Sequence, residues 1–228
     1  MDKTALITQC LRLHALRADP LRALTCTVIY ITGLWMTCFG VVMILKSTLG
    51  VDAWNGVMAG MTVLTPLSLG VWSVIVQGTF WLTAAIISHR PDFLCFIPIL
   101  LKGIGFDLAV WVLDFVPTAS DPVTMALYYA TGYLTLALGT GFYITLNFSK
   151  MPIDGLMVAI SERFGMRLSR ARLCIEVSGF ACLFACAGPF GIGTIIATFT
   201  FGNAVAASRT LAQRCLRPLL AGSREKTH

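Results

Sequence analysis

The chain has 228 residues, of which 57% are hydrophobic and 12% charged, with a mean hydropathy of +0.79. A soluble domain carries about a quarter charged residues and has the polar surface to clothe its core; this chain does not. The composition excludes an ordinary soluble enzyme, a secreted disulfide scaffold and a nucleic-acid-binding domain, and it points to a polytopic membrane protein.

Residues 1–22 hold Asp2, Lys3, Arg12, His14, Arg17, Asp19 and Arg22, with no apolar stretch long enough for a signal peptide. Leu6, Ile7, Cys10, Leu11 and Leu13 give part of this tail an amphipathic pattern, so it reads as cytoplasmic, lying on the membrane surface or frayed. Ala23–Leu45 is uncharged and fits one span of about 20 residues. Ala53–Ser88 is also uncharged but too long for one span; Pro66 and Gly70 divide it into a short piece and a full span near Val71–Ser88. Phe93–Phe115 makes another span, interrupted by Lys102, Asp107 and Asp114. The uncharged run Pro122–Ser149 is followed by the short segment Ile153–Ala159 and a basic stretch with Arg163, Arg167, Arg170 and Arg172. Leu173–Ser208 holds two further spans, divided by Gly188-Pro189-Phe190-Gly191. Residues 209–228 form a basic tail.

The short segments beginning at Asn55 and Asp154 either cross the bilayer, giving eight crossings, or dip in and return, giving six. Cytoplasmic loops collect Lys and Arg. With six crossings and both termini inside, all 17 Lys and Arg except Lys46 and Lys102 face the cytoplasm. Eight crossings would also move Arg90 and Lys150 outside. The expected fold is therefore all-α: six transmembrane helices plus two short non-spanning helices, multi-pass in the cell inner membrane.

At an offset of 99 residues the chain matches itself without gaps. Gly33 falls on Gly132, Gly40 on Gly139, Gly56 on Gly155, Met58 on Met157 and Gly103 on Gly202, while Asn55 meets Asp154 and Gln77 meets Glu176. The weight rests on the glycines and on the shared order of long, short, long, long segments. Membrane repeat 1 covers 23–117 and repeat 2 covers 122–208. Each contributes an odd number of crossings, so the second copy lies upside down relative to the first. Inverted repeats with short or interrupted apolar segments are a pointer to transporters with a site at the repeat interface.

The second repeat carries Met151-Pro152-Ile153-Asp154-Gly155-Leu156-Met157, then Arg172 and Glu176, then Gly191-Ile192-Gly193-Thr194. A P-x-D-G-L-M element, an R-x-x-x-E pair and a G-x-G-T element in this order resemble the YczE/YyaS/YitT group of small bacterial integral membrane proteins. The likeness covers residues 30–208 or so. The first repeat departs from it: Ala53-Trp54-Asn55 stands where the group tends to have P-W-D, and the G-x-G-T counterpart is reduced to Phe93-Leu94-Cys95. The resemblance implies a membrane location and a transport-like role, names no substrate, and implies that one of a pair of aspartates is missing.

The candidate substrate-binding residues are Asn55, Lys102, Asp107, Asp154, Arg172 and Glu176. Asn55 and Asp154 suit the N-caps of the short segments, or, near the bilayer interior, a solute or ion site at half-helix ends. Lys102 and Asp107 lie deep in an apolar run, where ionisable groups mark a pathway or a pair; Asp107 is expected to be buried and partnered on another helix. Arg172 and Glu176 are spaced for a helical ion pair. Gly56–Gly60, Gly33 and Gly40 read as close helix packing, which also allows a homo-oligomer. The eight cysteines read as small apolar filler, Cys182 and Cys186 in the core included. No nucleophile triad or metal-ligand set stands out, so neither catalysis nor a cofactor is expected. The leading reading is a small transporter or exporter whose partners are the lipid bilayer and a small-molecule solute. The alternative is a non-transporting accessory protein that binds or stabilises a partner.

Overall fold

The structure, a computed structural model, describes residues 20–89, 91–146, 148 and 151–221. It is all-helical: α1 Pro20–Lys46, α2 Ala53–Leu64, α3 Leu69–Ser88, a 3-10 turn Phe93–Cys95 leading into α4 Phe96–Val112, α5 Pro122–Leu146, α6 Pro152–Phe164, α7 Leu168–Ala185 and α8 Ile192–Ala221. No strand occurs among the described residues. The expected surface character of residues 1–22 falls almost wholly outside them.

Local chemistry sets the helix ends. The run from Ala53 to Ser88 is cut at Thr65–Ser68, around Pro66, where Ser68 restarts the helix by accepting the Val71 amide at 3.2 Å. α3 ends at His89 in the left-handed region, φ 52°. α6 opens with Pro152 in its first turn, where a missing N–H costs nothing, and stops at Gly165 with φ 62°.

α5 starts behind Asp121, whose carboxylate accepts the Thr124 amide at 2.8 Å. That bond, and after it the Thr124 hydroxyl, holds the Asp121 carboxyl below its ordinary value of 3.8. A carboxyl depressed in the folded state adds stability above its unfolded value and loses it as the pH falls through the folded one. Acidification to about pH 3 is therefore expected to lower the melting temperature, and Asp121→Asn, which caps without titrating, to lower it less. An equal drop in both proteins would put the acid sensitivity elsewhere.

The central seam is α1 against α5. Gly33 faces Gly139 and Gly40 faces Gly132, so the helices run antiparallel with their backbones touching. These glycines are occupied inside one chain. α4 flanks α1 and α8 flanks α5. α3 packs on α4, α6 and α2, while α7 packs on α2 and α6. The Gly56–Gly60 stretch lies on α7: a Cβ at Gly60 would meet the Cys186 carbonyl at 2.7 Å.

Among the described residues, three helical segments are long and apolar enough to cross a membrane: Leu21–Lys46, Leu69–Ser88 and Phe93–Val112. α5, α7 and α8 have 25, 18 and 30 residues. Tyr and Thr dilute the first, and arginines the other two. The expected tail from residue 209 is in part helix, since α8 continues through Arg209, Arg214 and Arg217 to Ala221. Cys26, Cys38 and Cys95 are buried as expected, but Cys182 is exposed and Cys186 only half-buried, because α7 turns that side away from its neighbours.

Candidate site at the half-helix ends

The six candidate residues fall on four helices. At the start of α2 the N-cap is Asp52, not Asn55. Its carboxylate accepts the Asn55 amide at 3.4 Å and the Asn55 side-chain Nδ2 at 2.7 Å. With Nδ2 committed, Asn55 Oδ1 is buried without a hydrogen-bond partner. Trp54 then bolts α2 to α7: its indole N–H donates to the Ile175 carbonyl at 3.1 Å, and its ring sits edge-on to Phe80 at 4.6 Å. The residue after Ile175 is Glu176, which lies within electrostatic reach of Asp52 and pairs with Arg172 at 3.6 Å. The Glu176 side chain is 26% exposed and that of Arg172 55%. Asn55, Arg172, Glu176 and Asp52 thus form one polar group.

Asp154 lies in the first turn of α6 and, like Arg172, is within electrostatic reach of Tyr143. Its expected role as N-cap is corrected: Met151 holds that position without a side-chain bond, because Pro152 follows it and places Asp154 one turn inside the helix. Both short helices therefore begin with a carboxylate at the positive end of their dipole. On α3, Gln77 and Ser73 are buried one turn apart, with Gln77 Oε1 and Ser73 Oγ unpartnered.

Lys102 and Asp107 lie apart from both groups, on α4. Lys102 is half-buried, with its Nζ 5.6 Å above the Phe106 ring. Asp107 reaches another helix, as expected, accepting the Gly70 amide at 2.8 Å and the Ser68 hydroxyl at 3.0 Å. It is exposed where burial was expected, because the carboxylate closes the outer edge of the α3–α4 seam instead of filling it.

A cavity of about 290 Å³ lies between α3 and α7. It is lined by Trp54, Thr79, Phe80, Thr83, Leu156, Ile160, Cys174, Ile175 and Ser178. The Thr79, Thr83 and Ser178 hydroxyls donate to their own helices, so the lining is mostly apolar and these three groups offer it only acceptors. None of the six candidate residues lines it. Among the described residues no group of three His, Cys, Asp or Glu side chains is placed to hold a metal ion.

Sequence reading missed Asp52, although an Asp three residues ahead of Asn at the head of a short apolar segment is a capping signal. It also missed Tyr30 and Tyr129, which stand at the same repeat offset. The Tyr129 hydroxyl donates to the Gly193 carbonyl at 2.6 Å, whereas the buried Tyr30 hydroxyl has no partner.

The helices and the apolar surface define an all-helical membrane protein. Residues 24–210 match the model of DUF6198, a family of unknown function, and the chain belongs to that family. It is similar to the "Uncharacterized protein YyaS" of Bacillus subtilis, 24% identical over 168 residues covering 73% of this chain and 84% of the relative. The "Uncharacterized membrane protein YczE" of the same organism is 24% identical over 175 residues, covering 76% and 80%. A Haemophilus influenzae protein is 27% identical over 191 residues, covering 76% and 85%. No solved structure matches.

Proposed function

We propose that the chain is a small-solute transporter or exporter of the bacterial inner membrane, with six crossings and both termini cytoplasmic. In this reading residues 23–117 and 122–208 are inverted repeats and the site lies at their interface. Exchanging α1 with α5, α2 with α6, α3 with α7 and α4 with α8 reproduces nearly every helix pairing. α2 on α7 becomes α6 on α3, α2 on α3 becomes α6 on α7, and α1 on α4 becomes α5 on α8. With 12 and 13 residues, α2 and α6 are about 18–20 Å long, short of the ~30 Å hydrocarbon core, which favours dipping over crossing.

The observation that carries transport is the group of buried, unpartnered oxygens on the neighbouring helices α2 and α3, Asn55 Oδ1, Ser73 Oγ and Gln77 Oε1, to which α1 adds the Tyr30 hydroxyl. Each such group sealed away from water costs about 1–3 kcal/mol, and lipid offers no replacement. Water or a solute entering between the repeats removes that cost. With the carboxylates of Asp52 and Glu176 near Asn55, and that of Asp154 at the position 99 residues on, these oxygens suit a solute that carries hydrogen-bond donors or positive charge.

Proteoliposomes loaded with labelled metabolites test this. Glu176→Gln and Asp154→Asn are each expected to weaken uptake about tenfold or more while the melting temperature holds, the loss of one charge-assisted hydrogen bond. Asn55→Asp brings a further carboxylate beside Asp52 and is expected to shift the pH dependence of uptake to higher pH, because neighbouring like charges raise a carboxyl pKa. Wild-type uptake by folded Glu176→Gln and Asp154→Asn would remove the site. If no solute crosses at all, the accessory-protein reading takes its place.

A further inference from the structure

One helix pairing breaks the exchange pattern. α3 packs along α4, but α7 has no comparable packing on α8. In the first repeat the seam is built from five residues, Ser68, Gly70, Val74, Gly103 and Asp107. A Cβ at Gly103 would meet Val74 Cγ2 at 2.7 Å, a Cβ at Gly70 would meet Asp107 Cγ at 2.5 Å, and Asp107 binds Gly70 and Ser68 across the seam. In the second repeat the positions are Gly202, Leu173, Ser169, Arg167 and Ala206. Gly202 keeps the glycine, yet a Cβ there meets nothing within 4 Å. Leu173, which stands where Val74 covers Gly103, is 62% exposed. With Ala206 in place of Asp107, no carboxylate ties α8 to α7. A second asymmetry falls on the same half. Gly56 is tight against Leu183, whereas its counterpart Gly155 also faces open space.

Resting on the transport reading above, we infer that the arrangement is a gate held in one position, with α7 and α8 its moving pair. Leu173 closes onto Gly202 as Val74 already closes onto Gly103, and the Asp107 clamp holds the α3–α4 seam shut while the α7–α8 seam is open. Gly78 also faces open space, but Gly202 differs in having Leu173 at the position from which Val74 covers Gly103. A glycine there costs helix propensity and leaves room for that side chain to seat. Closing the second seam while the first opens exchanges the conformations of the two repeats, which presents the interface to opposite sides of the membrane in turn. In the proposed topology the open seam faces the cytoplasm and the clamped one the outside.

The test uses the full chain in nanodiscs, with its native cysteines replaced and spin labels at the exposed positions Arg170→Cys and Arg209→Cys, which leave Leu173 and Gly202 in place. A second pair, Val71→Cys with Val110→Cys, reports on α3–α4. The α7–α8 pair is expected to show a major long distance and a minor short one. Asp107→Ala is expected to raise the ratio of short to long about tenfold, as for one lost charge-assisted hydrogen bond, and to lengthen the α3–α4 distance. Gly202→Leu is expected to keep the wild-type melting temperature while erasing the short distance. A single α7–α8 distance unmoved by Asp107→Ala would overturn the gate. So would a lowered melting temperature in Gly202→Leu, or an unchanged distance distribution, because the first means the seam is already packed and the second that nothing seats there. No solute is needed for these distances. Moving helices with no solute carried would sink transport and leave the gate, and fixed helices with solute carried would do the reverse.

Discussion

Gly40→Leu is expected to prevent folding or reduce it to a small fraction of the wild-type yield. A Cβ at Gly40 meets the Leu136 amide nitrogen at 2.5 Å and the Gly132 carbonyl oxygen at 2.6 Å. Both are backbone atoms of α5, so no rotamer change makes room. Overpacking costs about 1–3 kcal/mol where side chains yield. Here α1 and α5 must separate, which breaks the seam on which α4 and α8 rest, so the cost lies above that range and approaches the whole stability of a typical domain, about 5–15 kcal/mol. Gly78→Leu is the comparison, since a Cβ there meets nothing within 4 Å. Melting temperature and the monodisperse fraction on size exclusion should fall steeply for Gly40→Leu and little for Gly78→Leu. A wild-type melt for Gly40→Leu would mean that α1 and α5 do not touch at that point.

Trp54→Ala is expected to cost about 3–5 kcal/mol, the usual loss for truncating a large core aromatic. The side chain does three things at once: it bonds the Ile175 carbonyl, meets Phe80 edge-on, and fills the space that Gly179 leaves open. A Cβ at Gly179 would lie 2.7 Å from the indole nitrogen, so the glycine exists for the ring. Trp54→Phe keeps most of the apolar contact and loses the hydrogen bond, and should cost a further-reduced amount, about 1 kcal/mol plus the smaller ring's lost contact. Thermal melts of the three proteins rank them. If Phe and Ala behave alike, the bond and not the packing holds α2 on α7. Because Trp54 lies between Asp52 and Asn55 in the chain and bonds the neighbour of Glu176, its loss is also expected to lower uptake before the protein unfolds.

Much of the fold was legible because apolar length and glycine spacing are properties of the chain itself. The break at Pro66, the turn after Cys186, the short helices near Asn55 and Asp154, and the helical pair Arg172–Glu176 all follow from local rules of span length, helix stop signals and i,i+4 geometry. The site was less legible. Asn55 and Glu176 were candidates, but their meeting depends on α2 folding back along α7 through Trp54, a contact between residues 121 positions apart. Asp52 lies outside the resembling motif, in which Ala53 and Asn55 stand where the group has Pro and Asp. Asp52 supplies a carboxylate three residues earlier and binds Asn55 directly.

By itself, then, the sequence determined an all-helical membrane protein with its basic residues beside its spans and a recurring pattern of glycines. Burying backbone in lipid forces helices, and charge sorting marks their ends. Only the tertiary structure decided what the recurring glycines do. Gly33 and Gly40 meet Gly139 and Gly132 in an antiparallel seam, Gly103 closes on Val74, and its counterpart Gly202 faces empty space. The two halves of the chain share the glycine spacing but not the side chains opposite each glycine. Asp107 clamps one seam and Ala206 leaves the other free, and that difference exists only where two helices, far apart in sequence, are brought face to face.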